Sequence, residues 1–219
     1  MVVANRLYDM TGNLEITLTP IMSIFDKYTR HIATSVGLGY YFNDYLGIEA
    51  EGGYAFISGD KKLLDEILRV GVDNVSGIER LPLSDLKHMT WFASGSVILN
   101  PLYGKISLSA ETDFNFHFYL IAGAGVAGFK YSTLEWPTAT EFRKVDKDAG
   151  MKPTFHFGGG IRIHFPKGLS LRIEVRDQFS YDEYDAQTKS EGGVTPTDKK
   201  ITDFTHITTL RFGVCYSFF

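Results

Sequence analysis

Glu49 and Glu51 stand two residues apart in an alternating stretch, so both carboxylates project from one strand face about 7 Å apart, a spacing compatible with a general acid and its base. Arg162, Arg172, Glu174 and Arg176 fall on the matching faces of two later stretches. Opposite charges at that density neutralise one another, because an unpaired ion in a confined interior is very costly. These six residues are therefore expected to form a charge network rather than a hydrolytic pair. His31, His117, His156 and His164 share that face without the spacing of metal ligands and are read as hydrogen-bonded filling. No metal centre is expected.

Two further patterns carry chemical content. His206 and Thr208 lie on the opposite face near one end of the last stretch, a position reminiscent of lipid-modifying barrel enzymes whose catalytic groups face the outer leaflet. Threonine is an unusual nucleophile there, and hydrogen bonding to lipid headgroups is the plainer expectation. Gly123-Ala-Gly125-Val-Ala-Gly128 matches the dinucleotide fingerprint letter for letter. The next residues, Phe129-Lys-Tyr-Ser-Thr-Leu-Glu-Trp-Pro137, supply β-formers and a proline where a helix N-terminus would receive the pyrophosphate. Gly158-Gly159-Gly160 lacks the Lys-Ser/Thr of a phosphate loop. Both glycine runs are read as relief of crowding, and no catalytic residue, nucleotide or other cofactor is expected.

The elements that hold these residues have a period of two. Ile16, Leu18, Met22 and Ile24 alternate with Glu15, Thr17, Thr19 and Ser23; Ile32, Val36, Leu38, Tyr40 and Phe42 form the second run, then Asn43-Asp44 a turn. Leu46, Ile48, Ala50, Tyr54 and Phe56 make the third run, and Met89, Trp91, Ala93, Val97 and Leu99 the fourth. Phe116, Phe118, Leu120, Ala122, Ala124 and Val126 oppose His117, Tyr119, Gly123 and Gly125, with Leu102 to Asp113 as a connection able to extend either neighbour. Phe155, Phe157, Ile161, Ile163 and Phe165 precede the turn Pro166-Lys167-Gly168. Leu169, Leu171, Ile173, Val175, Phe179 and Tyr181 come next. The last run places Leu210, Phe212, Val214, Tyr216 and Phe218 against Thr209, Arg211, Gly213, Cys215 and Ser217.

That gives about eight strands, each long enough for a tilted bilayer crossing of roughly nine to eleven residues. Connections alternate in length: 59–86, 132–152 and 183–202 are long and polar, and the first, near Asp26-Lys27, is a short member of that set. Within 59–86, Leu63, Leu64, Ile67 and Leu68 recur at helical spacing and predict a short amphipathic helix on the rim.

The chain has 219 residues, 44% of them hydrophobic and 14% aromatic, with 22 glycines and a net charge of −4, which suits one folded β-rich domain. Nothing basic enough for a phosphate backbone is present, so nucleic acid is excluded as a partner. The single cysteine, Cys215, rules out an internal disulfide framework. No run approaches the eighteen apolar residues of a membrane helix, and residues 1–12 show no signal core. A signal peptide is expected to have been removed from a natural precursor.

Face composition decides between a soluble and a membrane β fold. One face carries Gly, Ser, Thr, Glu, Arg and His, which suits a narrow lumen that side chains fill. The apolar face is broad, with aromatics toward strand ends: Tyr40, Phe42, Tyr54, Phe56, Trp91, Phe165, Tyr181, Tyr216 and Phe218. Such girdles sit at bilayer interfaces.

The final Leu210-Arg-Phe-Gly-Val-Cys-Tyr-Ser-Phe-Phe219 resembles the terminal-strand signal that barrel-assembly machinery reads on outer-membrane proteins, displaced by one place because alternation aligns Phe218 with lipid. Asn100-Pro-Leu-Tyr-Gly-Lys-Ile106, together with Phe118-Tyr-Leu-Ile-Ala-Gly-Ala-Gly-Val126, resembles the mid-barrel pattern of a small outer-membrane β-barrel family of deltaproteobacteria, some of whose members serve the gliding-motility machinery of myxobacteria. The resemblance implies an outer-membrane barrel acting as a structural or partner-binding component, and carries over no catalytic residue.

Taken together, the sequence predicts an all-β, eight-stranded antiparallel transmembrane barrel over residues 1–219, with 1–12 periplasmic and 59–86, 132–152 and 183–202 extracellular. Ten strands would result if the regions 102–113 or 70–86 also paired. The expected role is non-enzymatic, in an envelope complex or as an adhesion surface. Its expected partners are outer-membrane lipid or lipopolysaccharide, the assembly machinery and other envelope proteins. A lipid-modifying enzyme, a narrow channel and a soluble lipocalin-like carrier are the alternatives.

Overall fold

A computed structural model describes residues 10–24, 29–60, 87–109, 112–138, 141–190 and 193–218. Eight strands run in chain order: β1 Leu14–Ser23, β2 Thr29–Tyr41, β3 Leu46–Asp60, β4 Lys87–Ser109, β5 Thr112–Thr138, β6 Glu141–His164, β7 Leu169–Ser190 and β8 Gly193–Phe218. Each pairs antiparallel with the next, and β8 returns to β1, so the sheet closes into a barrel of eight strands rather than ten. The closing seam runs from Leu14↔Phe218 to Ser23↔Thr209 and skips Thr19 and Pro20. Proline has no backbone N–H to give to such a ladder.

The end of the barrel that carries the first residue of β1 and the last of β8 is called the lower end here. There the turn 42–45 is held by Asn43, whose Oδ1 accepts from the N–H groups of Tyr45 and Leu46, both at 2.9 Å. A 3-10 turn over Pro166–Gly168, with Lys167 in the left-handed region at φ 67°, joins β6 to β7. The segment before β1 folds under the lumen: Met10 donates its N–H to Asp44 Oδ1 at 2.9 Å, and its side chain is wholly buried.

Two expectations change. The stretches 132–152 and 183–202 are almost entirely strand: β5 and β6 continue as a hairpin to Thr138↔Glu141, and β7 and β8 to Ser190↔Gly193. Residues 102–109 extend β4 and residues 112–113 begin β5, paired to Ser109↔Thr112, as the sequence allowed. In the stretches 132–152 and 183–202 the sequence lacks the two-residue apolar period that marks the strands of the wall, so alternation alone does not find them. Residues 59 and 60 belong to β3; the remainder of 59–86, including the helix predicted at Leu63, Leu64, Ile67 and Leu68, lies outside the described residues.

The second change is at Met89, which the alternation puts on the outer face beside Trp91. A register shift between them, Met89↔Phe129 and then Trp91↔Gly128, inserts one extra residue in β4. Met89 therefore points inward and is buried, while Trp91 stays outside.

Candidate functional site

The lumen is built by the inward residues of every strand. Its largest side chains fit because the wall beside them is glycine: a Cβ on Gly160 would come within 2.8 Å of the Tyr119 hydroxyl, and one on Gly123 within 2.7 Å of His156 Nε2. The Gly123–Gly128 fingerprint lies in the middle of β5, paired on both sides, and leads into further strand instead of a helix.

Across this space Arg172 on β7 bonds Glu49 on β3, and also donates to Glu174 at 2.9 Å and to the Tyr119 hydroxyl at 3.2 Å. Arg176 reaches Glu174 and Glu51, both at 2.6 Å. Arg211 on β8 pairs with Glu51 and lies 3.6 Å from Glu174. Ser35 donates to Glu51 at 2.5 Å, and Tyr119 donates to Glu174 at 2.8 Å. Lower down, Arg162 meets Glu15 at 3.1 Å, both fully buried, and bonds the Tyr41 hydroxyl.

The described network thus holds four guanidinium groups against four carboxylates. The structure brings together all six residues that the sequence singles out, but in two clusters: Arg162 belongs to the lower one with Glu15. Glu15, Arg211, Tyr41 and Tyr119 are further members that the sequence pattern did not single out. Glu15, Arg211 and Tyr119 stand on the polar side of their alternations, and Tyr41 falls between the apolar-face Tyr40 and Phe42; that was the available signal, weaker for the tyrosines because a phenol suits either face.

Apolar layers close the network above and below. Ile21, Ala33, Ala55, Met89, Phe92, Ala127, Phe129 and Ile207 form one, and Met10, Tyr41, Ile98, Tyr119 and Ile121 the other. On β3, Gly47 pairs with Ile98 of the lower layer, Glu49 and Glu51 come next, and Gly53 pairs with Phe92 of the upper layer, so these two carboxylates lie between the layers, while Arg162 and Glu15 meet Tyr41 of the lower one. The space left among Glu49, Glu51, Arg172, Arg176 and Arg211 is about 10 Å³, room for about one water molecule.

The histidines of the interior make hydrogen bonds to neighbouring side chains and backbone. His156 shares a hydrogen with Ser96 at 2.8 Å, and His117 and His164 share one at 2.8 Å. His31 Nε2 accepts from the Met89 N–H at 3.4 Å. Among the described residues no three His, Cys, Asp or Glu side chains converge as metal ligands.

Outside, the wall is oily. Leu38 is 53% exposed, Ile48 45%, Phe157 58% and Ile173 43%, whereas Arg172 is 5% and Glu174 3% exposed. A water-soluble carrier would reverse these faces. Tyr40, Phe42, Tyr216 and Phe218 point outward near the lower end, and Tyr54, Phe56, Trp91 and Tyr181 near the upper; Phe165 is half-buried at the β6–β7 turn. Edge-on contacts of Tyr40 with Phe42 at 5.2 Å and Tyr216 with Phe218 at 5.0 Å make part of the lower belt.

The model of the outer membrane protein beta-barrel domain family matches residues 23–218. The chain belongs to that family. It is an outer-membrane β-barrel, and the soluble carrier is set aside.

Among solved structures, this barrel is similar to the N-terminal β-barrel domain of Pseudomonas aeruginosa OprF, at 10% identity, 94% of this chain, 98% of the other and a TM-score of 0.44. It is also similar to Ail, the attachment invasion locus protein of Yersinia pestis, in complex with the heparin analogue sucrose octasulfate, at 12% identity, 95% and 100% coverage and a TM-score of 0.39. Neisserial surface protein A is similar at 10% identity, 94% and 96% coverage and a TM-score of 0.42. No curated protein matches the chain. The family match is to outer-membrane barrels at large and carries nothing that narrows it to deltaproteobacteria or to gliding motility.

On the outer wall of the barrel, His206 and Thr208 both meet Asp177, which sits at the gap in alternation between Val175 and Phe179 and which the sequence pattern did not single out. Thr208 Oγ1 donates to Asp177 Oδ1 at 3.2 Å, and His206 Nδ1 lies 3.4 Å from the same oxygen. A hydrolytic triad needs the imidazole between carboxylate and nucleophile. Here the carboxylate stands between the other two, so the threonine proton is directed to Asp177 and not to the histidine.

Proposed function

We propose that this barrel is a non-enzymatic, non-conducting component of the outer membrane, a rigid stave-and-brace cylinder that carries its hairpin arms as structural or partner-binding surfaces. The observation that carries the reading is the filled interior: among the described residues eight buried ions pair with one another beside apolar clusters, and the space left among six of them is about 10 Å³. An interior filled in this way among the described residues supports neither the passage of hydrated ions nor the binding of a substrate there. Strands β5 to β8 run 22 to 27 residues, more than a bilayer crossing needs, which leaves long paired arms for contacts with other envelope proteins.

Planar-bilayer recording tests the first half. The expected result is no unitary conductance; reproducible single-channel steps from the pure protein would overturn the reading. Crosslinking in intact cells and subsequent pull-down tests the second half, the expected result being specific envelope proteins attached through the arms. A place in gliding-motility machinery rests on the resemblance at Asn100–Ile106 and Phe118–Val126 alone.

A further inference from the structure

We propose that the ring opens first on the β1–β8 seam, at Pro20. The seam pairs from Leu14↔Phe218 to Leu18↔Val214 and again from Ile21↔Arg211 to Ser23↔Thr209 in one register, so Pro20 stands opposite Phe212 with no residue inserted. The interruptions of the other ladders all shift the register. On its other side β1 pairs with β2 through Thr19↔Ser35 and Pro20↔Thr34 without a break. The Thr19 carbonyl oxygen accepts from the hydroxyls of Thr34 and Ser35, at 3.4 Å and 3.5 Å, and both belong to β2. Successive residues of a strand turn their backbone groups to opposite sides. Pro20 therefore turns its nitrogen toward β8, and that nitrogen has no hydrogen to give to the Phe212 carbonyl. Pro20 and Phe212 are both exposed on the oily wall, where no water replaces the missing donor.

Little holds β1 to β8 beyond that point. Above the gap the two strands pair at Ile21, Met22 and Ser23, and the Ile24 N–H donates to the Thr208 carbonyl at 2.8 Å. Among the described residues, the ion pair that β1 makes, Glu15 with Arg162, lies below the gap. Strand β8, by contrast, is tied across the lumen by Arg211, which pairs with Glu51 on β3 and lies 3.6 Å from Glu174 on β7. The cavity of about 10 Å³ in the ion network lies behind the break, lined there by Thr19 and by Gly213, which has no side chain. The upper part of β1, in the shortest strand of the ring at ten residues, is thus the piece of wall that can part from β8 with the fewest bonds broken while it stays paired with β2.

An interaction slows unfolding only if it is already lost when the barrier is crossed, so a donor restored at position 20 reports where the ring parts. The test follows the unfolding rate of the whole barrel in urea, in phosphatidylcholine vesicles, by heat-modifiable gel mobility. Pro20→Ala is expected to slow unfolding about tenfold. The loss of proline's restraint on the unfolded chain acts on refolding and does not enter that rate. A disulfide across the seam, Leu18→Cys with Val214→Cys in a Cys215→Ser background, is expected to slow unfolding at least about a hundredfold, and one across β2 and β3, Leu38→Cys with Ala50→Cys in the same background, by no more than about threefold. A Pro20→Ala rate equal to or above that of wild type overturns the proposal, as does a β2–β3 disulfide that slows unfolding as much as the seam disulfide. Should the Cys215→Ser barrel not fold, Pro20→Ala decides alone.

Discussion

Arg176 Nη1 on β7 donates to Glu51 Oε2 on β3 at 2.6 Å, a bond between strands four places apart in a ring of eight. It therefore lies along a diameter. Arg172 with Glu49 makes a second brace between the same two strands, and Arg162 with the Tyr41 hydroxyl spans β6 to β2. Ladder hydrogen bonds hold neighbours around the circumference; these bonds hold opposite walls at a fixed distance.

Removing one partner of such a brace leaves its mates charged and buried with one carboxylate fewer between them. Glu51→Ala strips the shared carboxylate from both Arg176 and Arg211, and a loss of about 3–5 kcal/mol in unfolding free energy is expected. Replacing Glu51 and Arg211 together by methionine should recover most of that loss. Urea titration of the barrel in lipid vesicles, read by heat-modifiable gel mobility, measures both.

Tyr41→Phe removes the hydroxyl that Arg162 binds and that lies 3.4 Å from Glu15, without changing the ring that covers the lower floor. A cost of about 1–3 kcal/mol is expected from the unsatisfied guanidinium. The same titration measures it, with no change expected in the folded mobility.

Two glycines of the wall should behave oppositely. A methyl on Gly123 points inward, where it would sit 2.2 Å from the Gly95 carbonyl oxygen, so Gly123→Ala should cost at least about 1–3 kcal/mol or block folding. A methyl on Gly95 meets nothing within 4 Å, and Gly95→Ala should stay within about 0.5 kcal/mol of wild type. The folded fraction after refolding into vesicles separates them.

The outer wall predicts a depth-dependent penalty. Ile173→Arg places a charge among exposed aliphatic neighbours between the two belts, where about 2–4 kcal/mol is lost, whereas arginine in place of Tyr181, at the upper belt, should cost about 1 kcal/mol or less beyond the loss of the ring. Equal penalties at the two depths in vesicle-based unfolding would contradict the assignment of the belts.

The period of two in the sequence carried most of the fold: Leu38, Ile48 and Ile173 on one face and Glu49, Arg172 and Glu174 on the other are where alternation puts them. What it did not carry is non-local. That Arg162 meets Glu15 and Arg211 meets Glu51 depends on how far the ring is sheared when β8 closes on β1, which no local pattern encodes. Alternation assigns Met89 to the wrong face because one extra residue in β4 breaks the period between Met89 and Trp91. The outer parts of β5 to β8 look like loops in the sequence because they carry no alternating apolar stripe. Asp177 was visible only as a missing beat between Val175 and Phe179.

The pairing of Leu14 with Phe218 gives this architecture a kinetic consequence. Until β8 arrives, β1 and β7 are both raw edges, and Glu51 and Glu174 lack Arg211. Of the eight ions only Arg211 is supplied by β8, so neutralisation of the upper cluster is completed when that strand closes the ring. A nascent barrel stalled one strand short would be adhesive along two margins and charged within, which makes the last strand the natural checkpoint for quality control during insertion.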